Sequence, residues 1–215
     1  MKQAVVFDMD GTLLNTLTDL ARSANFALEQ MGYPRRSADD IRRFIGNGVA
    51  NLIRCAVPEG AGEDNATRTL KIFTDHYSWH SQIDTHPYPG VPEMLKALRE
   101  RGYLTAIVSN KFDGAVKDLN RRWFGVHVAI GESDSCRRKP APDMVFAALK
   151  ALGVSNQDAV YVGDTEVDLM TAENSGCSPL LVSWGYRSKA ELLALGDYPI
   201  ADHAGEILSW IEALG

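Results

Sequence analysis

Four short stretches of this 215-residue chain carry side chains able to do polar chemistry together. Asp8-Met9-Asp10-Gly11-Thr12 closes the first apolar run and Ser109-Asn110-Lys111 the second. Lys139-Pro140 follows the third across a polar loop, and Gly163-Asp164 ends the fourth, with Asp168 four residues later. Singly, each has an ordinary explanation: an aspartate after a strand commonly caps a helix or forms a turn. Brought to one edge, Asp8, Asp10, Asp164 and Asp168 repel one another unless a cation sits among them. Carboxylate oxygens are hard ligands, so such a set points to Mg2+, which takes a few carboxylates and leaves room for water and a substrate phosphate.

The elements between these stretches decide whether they meet. Ala4–Asp8, Leu104–Asn110, Val126–Ile130, Ala159–Asp164 and Leu180–Ser183 are unbroken apolar runs, the pattern of strands buried on both faces. Helical patterns over Val91–Arg101, Asp113–Phe124, Asp143–Leu152 and Glu166–Ser175 alternate with them, which predicts βαβ units and a parallel sheet. Residues 16–83 break the alternation with helix signals alone. Leu17, Leu20, Ala24, Ala27, Leu28 and Met31 form one stripe, and Ser37-x-x-Asp40 reads as a capping box opening Asp39–Ile45. Thr85–Pro92, with three prolines and a glycine, is a linker. The expected fold is α/β, a Rossmann-like parallel sheet core of residues 1–15 and 86–215 with an inserted α-helical cap domain of residues 16–85. Functional groups of such a sheet collect at the carboxyl ends of the strands.

Composition narrows the partners. Apolar residues make up 45% and charged residues 23%, as in a globular chain, and the net charge of −6 offers no basic excess to track a nucleic acid backbone. The longest stretch free of Asp, Glu, Lys and Arg, Asn174–Tyr186, is too short to span a membrane, for which about 20 residues are needed. Carboxylates interrupt the N-terminal residues where a signal peptide needs an apolar core, so a cytoplasmic location is expected. Cys55, Cys136 and Cys177 show no paired spacing and read as reduced thiols. His76 and His80 lie four apart on a helix but have no third zinc ligand nearby, which favours a surface or interface role. No phosphate-binding G-x-x-x-x-G-K-[ST] and no G-x-G-x-x-G occurs.

DMDGTLL, SNK, a Lys-Pro and GDTEVD, in that order, resemble the four motifs of the haloacid dehalogenase superfamily, and the likeness covers essentially the whole chain. Gly46-Asn47-Gly48, Ser109-Asn110-Lys111 and Gly185-Tyr186 further resemble its phosphoglycolate phosphatase group. The resemblance implies a Mg2+-dependent phosphatase of small phosphorylated metabolites, 2-phosphoglycolate foremost. Asp8 would be the nucleophile that forms an aspartyl-phosphate, and Asp10 the general acid and base. Ser109 and the Asn110 backbone N–H would bind phosphoryl oxygens, to which Lys139 supplies positive charge. Asp8, Asp164 and the carbonyl of Asp10 would hold the metal, while Asp168 orients Lys139 or holds a metal-bound water. Gly46, Asn47 and Gly48 form either a plain helix–helix turn or a loop offering N–H groups to the remote end of the substrate. One divalent ion, Lys139 and a protonated Asp10 would together neutralise the four aspartates. Asn15 and Ser109 depart from the commoner acidic residue and threonine, and the second aspartate favours phosphoryl over carbon–halogen chemistry. A phosphomutase on the same scaffold and a signalling module phosphorylated on Asp8 are the other readings. Oligomeric state is not fixed by the sequence.

Overall fold

Ala4-Val5-Val6-Phe7 has no polar side chain on either face, and the strand it forms, β1 (Ala4–Phe7), is buried throughout. The computed structural model describes residues 2–215. It places β1 in the middle of a six-stranded sheet with β4 (Leu104–Phe112), β5 (Val128–Glu132), β6 (Ala159–Gly163), β7 (Ser178–Val182) and β8 (Ile200–Ala201). The order is β5-β4-β1-β6-β7-β8, and every pairing is parallel. The expected α/β class is therefore the observed one. β8 is an edge strand of two residues, too short to leave a pattern in the sequence.

Alternate side chains of β1 feed two different cores, as the two-residue repeat of a strand requires. Val5 and Phe7 pack with Ile107, Val160 and Val162 beneath α5 (Val91–Glu100) and α9 (Ile207–Leu214). Ala4 and Val6 pack with Ala106, Val108 and Tyr161 beneath α7 (Asp143–Leu152) and Ala172 of α8 (Glu166–Ser175). Helices on both faces explain why the strands carry no polar alternation. Truncating a residue such as Phe7 at this interface costs about 3–5 kcal/mol. Both α7 and α8 end in a left-handed glycine, Gly153 and Gly176, each at φ 70.

The single helix expected over Asp113–Phe124 is instead α6 (Asp113–Leu119) followed by a wider π turn over Asn120–Phe124. The cause is local. The Asn120 side chain takes both peptide groups of Val126, accepting its N–H at 2.9 Å and donating to its carbonyl. The chain is thereby drawn off the helix axis and into β5.

The chain divides into two compact units, residues up to Leu14 with Pro87–Gly215, and Asn15–His86. It crosses between them in two-residue strands, β2 (Leu14–Asn15) and β3 (His86–Pro87). The second unit consists of α1 (Leu17–Gln30), α2 (Ala38–Phe44), α3 (Gly48–Ala56) and α4 (Glu63–His80). Leu20, Ala24, Ala27 and Leu28 of α1 are buried, as are Ile41, Leu52, Ile53 and Phe73. Ser37 and Asp40 form the reciprocal cap at the start of α2. Buried Asp19 accepts hydrogen bonds from the N–H groups of Asp84 and Thr85 and from the Thr85 hydroxyl, which ties the returning chain to α1.

Candidate active site

At the carboxyl edge of the sheet the apolar runs end and carboxylates begin. Asp8 follows β1 directly, its N–H donating to the carbonyl of Val162 on the neighbouring strand at 2.9 Å. Asp164 follows β6, and Asp168 sits in the first turn of α8. All three are buried and each offers a carboxylate oxygen within 4.8 Å of the others.

Lys139 enters this cluster with only 2% of its surface exposed. Its Nζ lies 2.8 Å from Asp8 Oδ1 and 2.8 Å from Asp168 Oδ1, and donates to the Tyr161 hydroxyl at 3.1 Å. That hydroxyl donates in turn to Asp168 Oδ1. Burial works against the ammonium, but the charges of Asp168 and Asp8 outweigh it and hold the Lys139 pKa well above the usual lysine value. The backbone carrying Lys139 is clasped by Asn110, whose side chain accepts the Lys139 N–H at 2.7 Å and donates to its carbonyl at 3.1 Å. The Asn110 side-chain amide is thus engaged at both its ends by the Lys139 peptide.

Asp168 is fully used by its surroundings. Oδ1 takes Lys139 and Tyr161, and Oδ2 accepts from the N–H groups of Asp164 and Thr165 and from the Thr165 hydroxyl, which caps α8. Asp164 is held by the Thr12 hydroxyl at 2.9 Å and the Tyr186 N–H at 2.7 Å. Two glycines leave room for it. A Cβ on Gly11 would lie 2.3 Å from Asp164 Oδ2, and one on Gly185 would lie 2.4 Å from the same atom. The loop of Thr12 is braced further by the Trp184 indole N–H, which donates to the Thr12 carbonyl.

Charge crowding shows in the acidities. Burial, reinforced by Asp168 and Asp10 and opposed by Lys139, pushes the Asp8 carboxyl up to about 7. Burial, with Asp168 and Asp8, raises Asp164 well above the ordinary carboxylate range. Asp8 Oδ1 has Lys139 beside it but makes no directed hydrogen bond. A buried, mutually repelling pair of hard oxygen donors with an incompletely satisfied atom is what a divalent cation fits.

Asp10 lies beside this cluster and is gripped by Lys111, whose Nζ is 3.1 Å from Oδ1 and 3.2 Å from Oδ2. The sequence-based charge count leaves out this second ammonium, which by itself offsets one aspartate. Ser109 is buried at the same strand end, its Oγ accepting the Lys111 N–H. Sequence reasoning assigned no role to Lys111, Tyr161, Thr12 or Thr165. Lys111 and Thr12 stand in the polar stretches at the strand ends and Thr165 within GDTEVD, whereas Tyr161 carries no such signal.

Gly46, Asn47 and Gly48 belong to the helical unit, at the start of α3, with Gly46 at φ 127 and Gly48 at φ 79. His76 and His80 belong to it as well. Their rings stack at 3.9 Å, His76 also stacks on Phe26, and no third metal-binding side chain joins them among the described residues. No helix among the described residues is long and apolar enough to cross a membrane.

A parallel sheet with Asp8 and Asp164 at its carboxyl edge and the Lys139 ammonium between carboxylates is a buried acidic centre on an α/β fold, and the comparisons with known proteins give that fold a family. Residues 5–182 match the haloacid dehalogenase-like hydrolase family, and the chain belongs to that family. It is 30% identical to the phosphoglycolate phosphatase of Aquifex aeolicus over 188 residues, 86% of each chain. It is 29% identical to that of Vibrio parahaemolyticus, covering 95% of this chain and 93% of the other. A crystal structure from Lactobacillus delbrueckii subsp. bulgaricus superposes with a TM-score of 0.93 at 36% identity, covering 98% of this chain and 99% of that one.

Proposed function

We propose that this phosphoric monoester hydrolase cleaves small phosphate monoesters, 2-phosphoglycolate foremost, through a phosphorylated Asp8. The observation that carries the reading is Asp8 itself, buried, with Oδ1 lacking a directed hydrogen bond and a locked ammonium 2.8 Å away. The similarity to phosphoglycolate phosphatases supports the choice of ester.

Asp8 would attack phosphorus, forming an O–P bond as the ester P–O bond breaks, and Asp10 would give its proton to the departing alkoxide. Asp10 would then take a proton from the water that attacks the aspartyl-phosphate, which returns Asp8 and releases phosphate. Lys139, fixed by Asp168 and Tyr161, would meet the phosphoryl oxygens without rearranging, the preorganisation that makes charge stabilisation effective. Ser109 and the Asn110 N–H would bind the same oxygens. Asp8, Asp164 and the Asp10 carbonyl would hold Mg2+, which when bound screens the approach of a phosphate dianion to a carboxylate. Asp168 acts from behind as the residue that positions Lys139, since its oxygens already accept five hydrogen bonds. A cytoplasmic setting accords with three unbridged cysteines.

The test is a panel of phosphate monoesters with purified protein and Mg2+, read as released phosphate. Release from small acidic esters is the expected result, and a protein inert towards the whole panel would overturn the reading.

A further inference from the structure

Lys111 is a buried ammonium, 6% exposed, for which the proposed reaction has no use. Lysines are seldom buried without a charge partner, and the partner here is Asp10, held through both carboxylate oxygens at 3.1 and 3.2 Å. Asp10 is also the residue placed at the leaving oxygen. An acid must come within hydrogen-bond reach of the oxygen it protonates, roughly 3 Å. The Lys111 ammonium then lies within about 6 Å of that oxygen. In the proposed reaction the phosphoryl group is met by a different ammonium, that of Lys139, which lies against Asp8.

We infer that Lys111 selects esters whose alcohol carries a carboxylate one carbon from the ester oxygen, binding that carboxylate with the ammonium that Asp10 otherwise holds. This rests on the phosphatase reading and narrows it. A carboxylate at that position is within reach of Nζ while the ammonium still touches Asp10. A carboxylate several carbons further out overshoots it, an uncharged alcohol offers it nothing, and an ammonium substituent is repelled. The selection works because Lys111 is poorly solvated before substrate arrives, so little water must be stripped from it and the charge-assisted bond keeps most of its strength.

The experiment compares kcat/KM for three esters of nearly the same shape: 2-phosphoglycolate, its neutral amide carbamoylmethyl phosphate, and O-phosphoethanolamine. Wild-type protein should prefer the carboxylate over the amide by tenfold or more, with the ammonium ester last. Lys111→Met should lower the carboxylate-to-amide ratio by at least tenfold, and Lys111→Arg should retain more of it than Met does. Wild-type protein that treats carboxylate and amide alike overturns the proposal, and this comparison stands even if Lys111→Met does not fold. Equal losses on both esters in Lys111→Met also overturn it, since Lys111 would then only place Asp10. Turnover of the amide without preference would leave the phosphatase reading intact, whereas turnover of none of the three would remove both.

Discussion

Asp168 holds the ammonium of Lys139 at 2.8 Å, and both side chains are almost entirely shut off from solvent. The same carboxylate caps α8 through Thr165, so one residue fixes a cation and starts a helix. Removing a partner from a buried ion pair costs about 3–5 kcal/mol, because the other charge stays behind uncompensated. Asp168→Asn should therefore lower stability by that order in urea unfolding and reduce kcat by about a hundredfold or more. Tyr161→Phe takes only one hydroxyl from Lys139 and should cost about 0.5–2 kcal/mol. Equal effects of the two substitutions would contradict the assignment.

Asp8→Asn keeps the shape of the side chain and removes the nucleophile. Turnover should vanish while the circular dichroism spectrum is retained. A variant with even a tenth of wild-type kcat would dismiss Asp8 as the attacking group. Asp10→Asn should lose roughly 10²–10⁴-fold, the usual contribution of a general acid or base.

The Asp8 acidity has a consequence for stability in the absence of metal. Its carboxyl titrates near 7 in the folded protein against 3.8 for the ordinary group. The folded state thus holds an extra proton between these values, and the destabilisation is absent below about 4, grows as pH rises and is complete above about 7. In EDTA, Asp8→Asn should gain stability over wild type between pH 5 and pH 8. A stability difference that does not change with pH would refute the shift.

Activity should be lost in EDTA and restored by Mg2+. Protons compete with the cation for Asp8, so the half-saturating Mg2+ concentration should rise as pH falls below about 7, approaching tenfold per unit. Asp164→Ala should raise it at every pH. Full activity in a metal-free preparation would exclude this role. Zinc should substitute poorly at an all-oxygen site.

Gly185→Ala tests the packing around the same carboxylate. Its methyl would lie 2.4 Å from both the Asp164 side chain and the Gly11 carbonyl, so Asp164 must move. The variant should need more Mg2+, as Asp164→Ala does, with a smaller loss of fold than a buried charge would cause. Unchanged metal dependence would show that Asp164 has freedom the structure denies it.

The sheet was readable because strands covered on both faces, such as Ala4–Phe7 and Ala159–Gly163, have no reason to carry polar residues. The gathering of Asp8, Asp164 and Asp168 could be anticipated for the same reason, since parallel strands end on one side. What lay hidden was set by side-chain direction. β4 shifts register between Val108 and Phe112, and only that irregular end shows Lys111 turned to Asp10 while Asn110 turns to Lys139. Tyr161 looked like one more apolar strand residue, because nothing in its neighbours along the chain reveals the hydroxyl's position under Lys139. The π turn at Asn120 escaped notice because a single asparagine decides it.

The Asn110 side chain meets the Lys139 peptide as the edge of a neighbouring strand would, donating once and accepting once. The stretch from Ser133 to Arg138 therefore hangs between two anchored ends, β5 and this clasp, and does not itself determine where the ammonium stands. Inserting or deleting residues there should leave Lys139 in register with Asp8. The plan can accommodate loops of differing length at this corner while its phosphate chemistry stays constant, because the ammonium is moored by its own peptide rather than by the path that leads to it.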